Sequence, residues 1–230
     1  MLWYKAWLET RWRFAFLIGS ILLVWLMPLW LPSLSAVPAS RQWFGLQLES
    51  VLLCMFAAIY LAGAGINSQT MYAATSGFHG SMLFTLSLPV SRRRLLFVRA
   101  GLGAILTCIL VIAMAGYVLF HRPEPASASQ ALSYIARDVV CTMAVYSLSV
   151  LLACVLDEMW QFMGACFAWI AVYLLQSRFP VVALVSPLRG MSLIPYSGKV
   201  PTPWAPVLAS LVLVGGLLYT SVLMLQRKEY

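Results

Sequence analysis

Long apolar blocks alternate with short polar ones along this chain, and most blocks exceed what a buried soluble helix needs. Crossing about 30 Å of hydrocarbon at 1.5 Å per residue takes roughly 20 apolar residues. Six segments qualify, at about residues 14–34, 46–66, 95–120, 139–156, 162–176 and 206–225. Pro28 and Pro32 mark the far end of the first, and Arg99 lies close enough to the start of the third to snorkel. The fourth and fifth are separated by the acidic stretch from Asp157 to Gln161. Helices are expected throughout, because unpaired backbone groups are too costly in lipid and no ten-residue alternation points to a barrel.

Three stretches are apolar without spanning. In residues 1–13, helical spacing puts Trp3, Tyr4, Trp7 and Leu8 on one side and Lys5, Glu9 and Arg13 on the other, with Arg11 left on the apolar side. This predicts an amphipathic helix in the membrane interface, running into the first span; the simpler alternative is a Trp and Arg anchor. Residues 67–94 are too polar to cross but carry enough apolar side chains for short helices at a membrane face. Residues 178–205 are broken by Pro180, Pro187, Pro195, Pro201 and Pro203, so their apolar pieces are expected as short re-entrant or surface helices between spans five and six.

Composition agrees with lipid as the solvent. Hydrophobic residues make up 62% of the 230 positions, charged residues 10%, and the mean hydropathy is +0.88. A soluble domain is about 45–50% apolar and about 25% charged. The net charge of +8 does not indicate nucleic acid, because the basic residues sit between apolar runs and do not gather in an aromatic-rich module. Cys54, Cys108, Cys141, Cys154 and Cys166 all fall within apolar runs with no CxxC pair, as small packing residues do. The first apolar run is too long for the core of a cleaved signal peptide.

Six spans put both termini on one side. With that side inside, Lys5, Arg11, Arg13, Arg92, Arg93, Arg94, Arg99, Arg227 and Lys228 face Arg41, Arg122, Arg137, Arg178, Arg189 and Lys199 across the membrane. The larger set, with Arg92–Arg94 clustered beside a span end, favours cytoplasmic termini. The whole chain, residues 1–230, reads as a single membrane domain with no internal repeat.

Catalytic chemistry is missing. A phosphate-cradling loop needs GxxxxGK[ST], whereas Gly198-Lys199 has Leu193 at the first glycine position and Val200 at the hydroxyl position. His79 and His121 fall in loops on opposite faces, and no carboxylate pair is expected inside a span. Glu49 is the one carboxylate near membrane depth. It lies close to the start of its span, either as an interfacial anchor or facing an outer cavity.

Residues 79–104 read HGSMLFTLSLPVSRRRLLFVRAGLGA. With Gly80, Ser81, Leu86, Pro89, Ser91 and Arg92 at matching positions, this stretch resembles the signature region of permeases in the type 2 ATP-binding cassette (ABC) exporter superfamily. The resemblance covers about twenty residues as motif and most of the chain as layout. It implies an all-α fold of six transmembrane helices with an N-terminal interfacial helix, a cytoplasmic coupling helix between spans two and three, and short helices between spans five and six. It further implies a membrane subunit that is not itself an enzyme, paired with a second permease subunit and with a separate ATPase that holds the ATP and Mg, in the cytoplasmic (inner) membrane of a prokaryote. Phe78, His79, Gly80, Ser81, Met82, Phe84, Leu86 and Pro89 would then engage the ATPase, with Arg92, Arg93 and Arg94 as the cytoplasmic anchor. The chain departs from the pattern in having His79 before Gly80 and Met82, Leu83 and Phe84 after Ser81, where the family often carries glutamates.

Two alternatives stand beside this expectation. A non-transporting scaffold or assembly protein accounts for the scarcity of polar residues in the spans. An ion-coupled secondary transporter would need buried acidic residues or broken midplane helices, for which Glu49 is the only candidate. The substrate is not specified by the sequence, although a hydrophobic or amphipathic cargo is compatible with the apolar spans.

Overall fold

The computed structural model describes residues 2–30, 39–62, 92–122, 124–156, 158–191 and 204–227. These residues form helices α1 (Leu2–Trp30), α2 (Ala39–Ala62), α3 (Arg92–Phe120), α4 (Ala128–Val155), α5 (Glu158–Arg178), α6 (Pro180–Val185), α7 (Pro187–Gly190) and α8 (Trp204–Arg227). No strand occurs among the described residues. Five of the helices, α2, α3, α4, α5 and α8, are long and apolar enough to cross a membrane.

Several boundaries differ from the hydropathy reading, each for a local reason. The expected interfacial segment and first span are one continuous helix, α1. Helix α4 starts well before residue 139 because Ser127 and Gln130 form a reciprocal capping box: the Ser127 hydroxyl accepts from the Gln130 amide at 3.4 Å, and the Ser127 amide donates to the Gln130 side chain at 3.3 Å. Most of the acidic stretch expected as a turn is helical, since α5 starts at Glu158. Position 157 lies outside the described residues. Pro180 and Pro187 open α6 and α7 at first-turn positions, where proline costs no hydrogen bond.

Helix α4 is the centre of the bundle. Of its apolar stretch 61% is buried, against 17% for α5 and for α8, whose outer faces are apolar and exposed. Around α4 the core gathers Leu17 from α1, Ala57, Ala58 and Leu61 from α2, Leu106, Leu110 and Val111 from α3, and Trp169 from α5. None of the cysteines forms a disulfide, and Cys54, Cys141 and Cys154 are buried among these side chains. Close approach of α2, α3 and α4 requires a glycine at position 103, because a Cβ there would meet the Tyr146 hydroxyl and come within 3.1 Å of the Leu61 carbonyl oxygen.

The short helix α7 is seated between α4 and α8. Pro187, Gly190 and Met191 are buried, Thr142 lies 3.9 Å from the Met191 sulfur, and Ser210 lies 3.7 Å from the Cys141 sulfur. A Cβ at Gly190 would collide with the Cys141 sulfur and touch the Pro206 Cβ at 3.4 Å. Gly190→Ala is therefore expected to destabilise the protein by about 1–3 kcal/mol through overpacking, which outweighs the roughly 1 kcal/mol that alanine gains in helix propensity. Adding Cys141→Ala removes the colliding sulfur and should restore most of the loss. Thermal unfolding of the two single variants and the double variant in detergent checks the cycle, and equal melting temperatures for Gly190→Ala with and without the second change would refute the contact.

Candidate functional site

The side chains assigned to ATPase coupling, Phe78, His79, Gly80, Ser81, Met82, Phe84, Leu86 and Pro89, lie outside the described residues, as does Pro195 with its neighbours. The structure resumes at Arg92, which opens α3. Here the bundle carries its densest set of polar ties between helices.

Arg99 was expected to snorkel, but it is buried and paired with Glu9 of α1 at 3.1 Å, its side chain 4% exposed. One turn along α1, Arg13 donates to the Tyr60 carbonyl of α2 at 3.0 Å and lies over the Tyr60 ring at 5.2 Å. The Tyr146 hydroxyl of α4 donates to the Ala100 carbonyl of α3 at 2.7 Å. Gln161 of α5 donates to the Ile59 carbonyl of α2 at 3.1 Å. These contacts join α1, α2, α3, α4 and α5 at one end of the bundle.

The N-terminal helical face is thus turned round with respect to a soluble amphipathic helix. Glu9 and Arg13 point into the protein, while Trp3 and Tyr4 are exposed and Trp7 nearly as much. In lipid this is the favourable orientation, because only the protein interior supplies partners for charge.

Beside this end lies a cavity of about 560 Å³ between α3, α4 and α8, with Arg94 at its mouth. Its walls are mostly apolar, including Leu96, Ala104, Met143, Val150, Val214 and Leu218. The lining hydroxyls already have partners: Tyr146 donates to Ala100, and Ser147 donates to the Ala144 carbonyl at 3.0 Å. Glu49 does not line this space. It is exposed on α2, which begins at Ala39, and stays close to the start of that helix's apolar stretch at Phe44.

A second polar group sits towards the other end of α4, where the sequence reading placed a loop. Arg137, expected in an outer loop, has a side chain only 1% exposed, and its guanidinium is 3.5 Å from the adjacent carboxylate of Asp138, itself 9% exposed. Arg137 also lies over the Tyr134 ring at 4.8 Å. Tyr134 and Asp138 share a side-chain hydrogen bond, so three residues at i, i+3 and i+4 form one buried unit. Tyr134 packs with Ala115 and Val118 of α3. Asp138 and Glu9 each pair with an arginine and not with a second carboxylate, and Gln47, Thr107, Thr142 and Gln161 are also buried among the helices.

Among the described residues no group of three or more His, Cys, Asp or Glu side chains is placed to hold a metal ion. Compared with known proteins, the chain matches no family model, no curated protein and no solved structure at a significant level.

Proposed function

We propose that this chain is the membrane-spanning permease subunit of an ATP-driven exporter, similar to the type 2 ABC exporters and powered by a separate ATPase. The observation that carries the proposal is the construction of the start of α3. This helix follows directly on residues 78–91, the stretch with the coupling-helix resemblance, and Arg99 and Ala100 tie its first turns to α1 and α4. A push delivered just before Arg92 would be carried by these ties into the central helix. Helix α1 serves as the sixth crossing, both termini face the cytoplasm of a prokaryote, and α6 and α7 form a re-entrant pair. The thinly buried α5 and α8 leave apolar faces for a second permease subunit and for lipid.

An ion-coupled transporter has one specific support in the buried Asp138. Its neighbour Arg137 compensates that charge, which suits a structural pair better than a carrier of ions.

Affinity purification of the tagged chain from its own membrane tests the proposal. A P-loop ATPase should copurify, and the complex should hydrolyse ATP. If no ATPase copurifies and transport instead follows a proton or sodium gradient, the proposal fails. With no ATPase and no transport at all, the scaffold alternative takes its place.

A further inference from the structure

The cavity between α3, α4 and α8 has the dimensions and polarity of a slot for one lipid chain. The apolar stretch of α3 begins at Leu96, so Arg94 stands just outside it, at the level of the headgroups. From Arg94 to Ala104, the deepest lining residue on α3, the helix rises about 15 Å, or half of the roughly 30 Å hydrocarbon core. The slot is therefore one leaflet deep. Its volume of about 560 Å³ lies within the range of about 300–1,000 Å³ that small-molecule sites occupy.

The chemistry of the walls selects the occupant. Tyr146 and Ser147 both donate to backbone carbonyls, so the interior makes no demand for a polar ligand. Water would find few partners there. At the mouth the charge is positive, since the lining residue Arg94 is exposed. An apolar slot closed by a basic mouth at headgroup level complements an anionic amphiphile, and the surrounding bilayer is the source nearest to hand.

We propose that the slot holds one acyl chain of a resident anionic phospholipid, whose headgroup is held at Arg94. The lipid would lie where α3 meets α4, filling space between helices that must move together. This inference rests on the bilayer setting of the bundle and not on the ATPase, so it can fail or succeed whatever copurifies.

Native mass spectrometry of the purified full chain, titrated with phosphatidylglycerol or with phosphatidylcholine of the same chain length, provides the test. One lipid should be retained, with phosphatidylglycerol preferred by about fivefold, the scale of one basic side chain at a membrane surface. Ala104→Phe and Val214→Phe fill the slot from opposite walls, and each should lower retention by about tenfold, several buried methylenes being displaced. Arg94→Gln should keep a retained lipid but bind both headgroups equally. As Arg94 is exposed, this variant reads the headgroup even if the two fillers do not fold.

Equal retention of the two lipids by the unaltered chain would overturn the proposal. So would a folded filler variant that retains phosphatidylglycerol unchanged. Retention of no lipid would also overturn it.

Discussion

Replacing Asp138 with alanine should destabilise the protein by about 3–5 kcal/mol, the range measured when one partner of a buried ion pair is removed. The loss would not reflect a strong bond. The Arg137–Asp138 separation of 3.5 Å is long for a charged hydrogen bond, and the two residues are adjacent in the chain. It would reflect the Arg137 side chain, 1% exposed, kept in the helix bundle without the Asp138 carboxylate. Arg137→Met together with Asp138→Leu removes both charges and should recover most of the loss, because apolar replacements of buried pairs are often neutral or stabilising. Tyr134 would still fill its place against Ala115 and Val118. Unfolding of the two single variants and the double variant, measured against denaturing detergent in mixed micelles, gives the coupling directly. If Asp138→Ala alone is as stable as the double variant, the pair is solvated and its burial has no consequence.

This unit also marks where the sequence was hard to read. Hydropathy averaged over a window places the start of the fourth span after Asp138, because Arg137 and Asp138 lower the mean. The capping box at Ser127 and Gln130 carried the opposite message, since it is a helix-start signal that does not depend on hydropathy. In a membrane chain the apolar run gives the part of a helix that lipid requires, and the caps give the helix itself. Helix α2 likewise begins, at Ala39, before the apolar run that follows Gln47 and Glu49.

Other features were legible in kind but not in partner. The spacing of Lys5, Glu9 and Arg13 identifies a polar face, expected on an interfacial helix, whereas Glu9 and Arg13 contact other helices of the bundle. Nothing local assigns Arg99 to Glu9, ninety positions away. The prolines that break residues 178–205 foretold short helices, and Pro180 and Pro187 open two of them. That the second ends on Cys141 is a matter of tertiary packing, invisible to spacing or composition.

The Glu9–Arg99 pair separates attachment of a partner from transmission of its movement. Glu9→Ala leaves Arg99 without the carboxylate 3.1 Å away, at an expected cost of about 1.5–3 kcal/mol for a charged hydrogen bond. Glu9 is 22% exposed, so water softens the change there more than at Asp138. Under the proposed function α1 would then be loosened from α3, while residues 78–89 remain as they were. The ATPase should still copurify and hydrolyse ATP, but transport per ATP should fall by about tenfold, the factor that corresponds to about 1.4 kcal/mol of lost coupling. Phe84→Glu with Leu86→Glu should act differently, releasing the ATPase altogether. Exchanging the charges, Glu9→Arg with Arg99→Glu, should recover part of the transport because the two side chains face each other across the helix interface. If Glu9→Ala instead releases the ATPase as completely as the substitutions at Phe84 and Leu86, the start of α3 is an attachment point and not a lever. The exchange variant distinguishes that outcome from simple misfolding, since a chain that has regained its ion pair and its melting temperature would regain the partner with them.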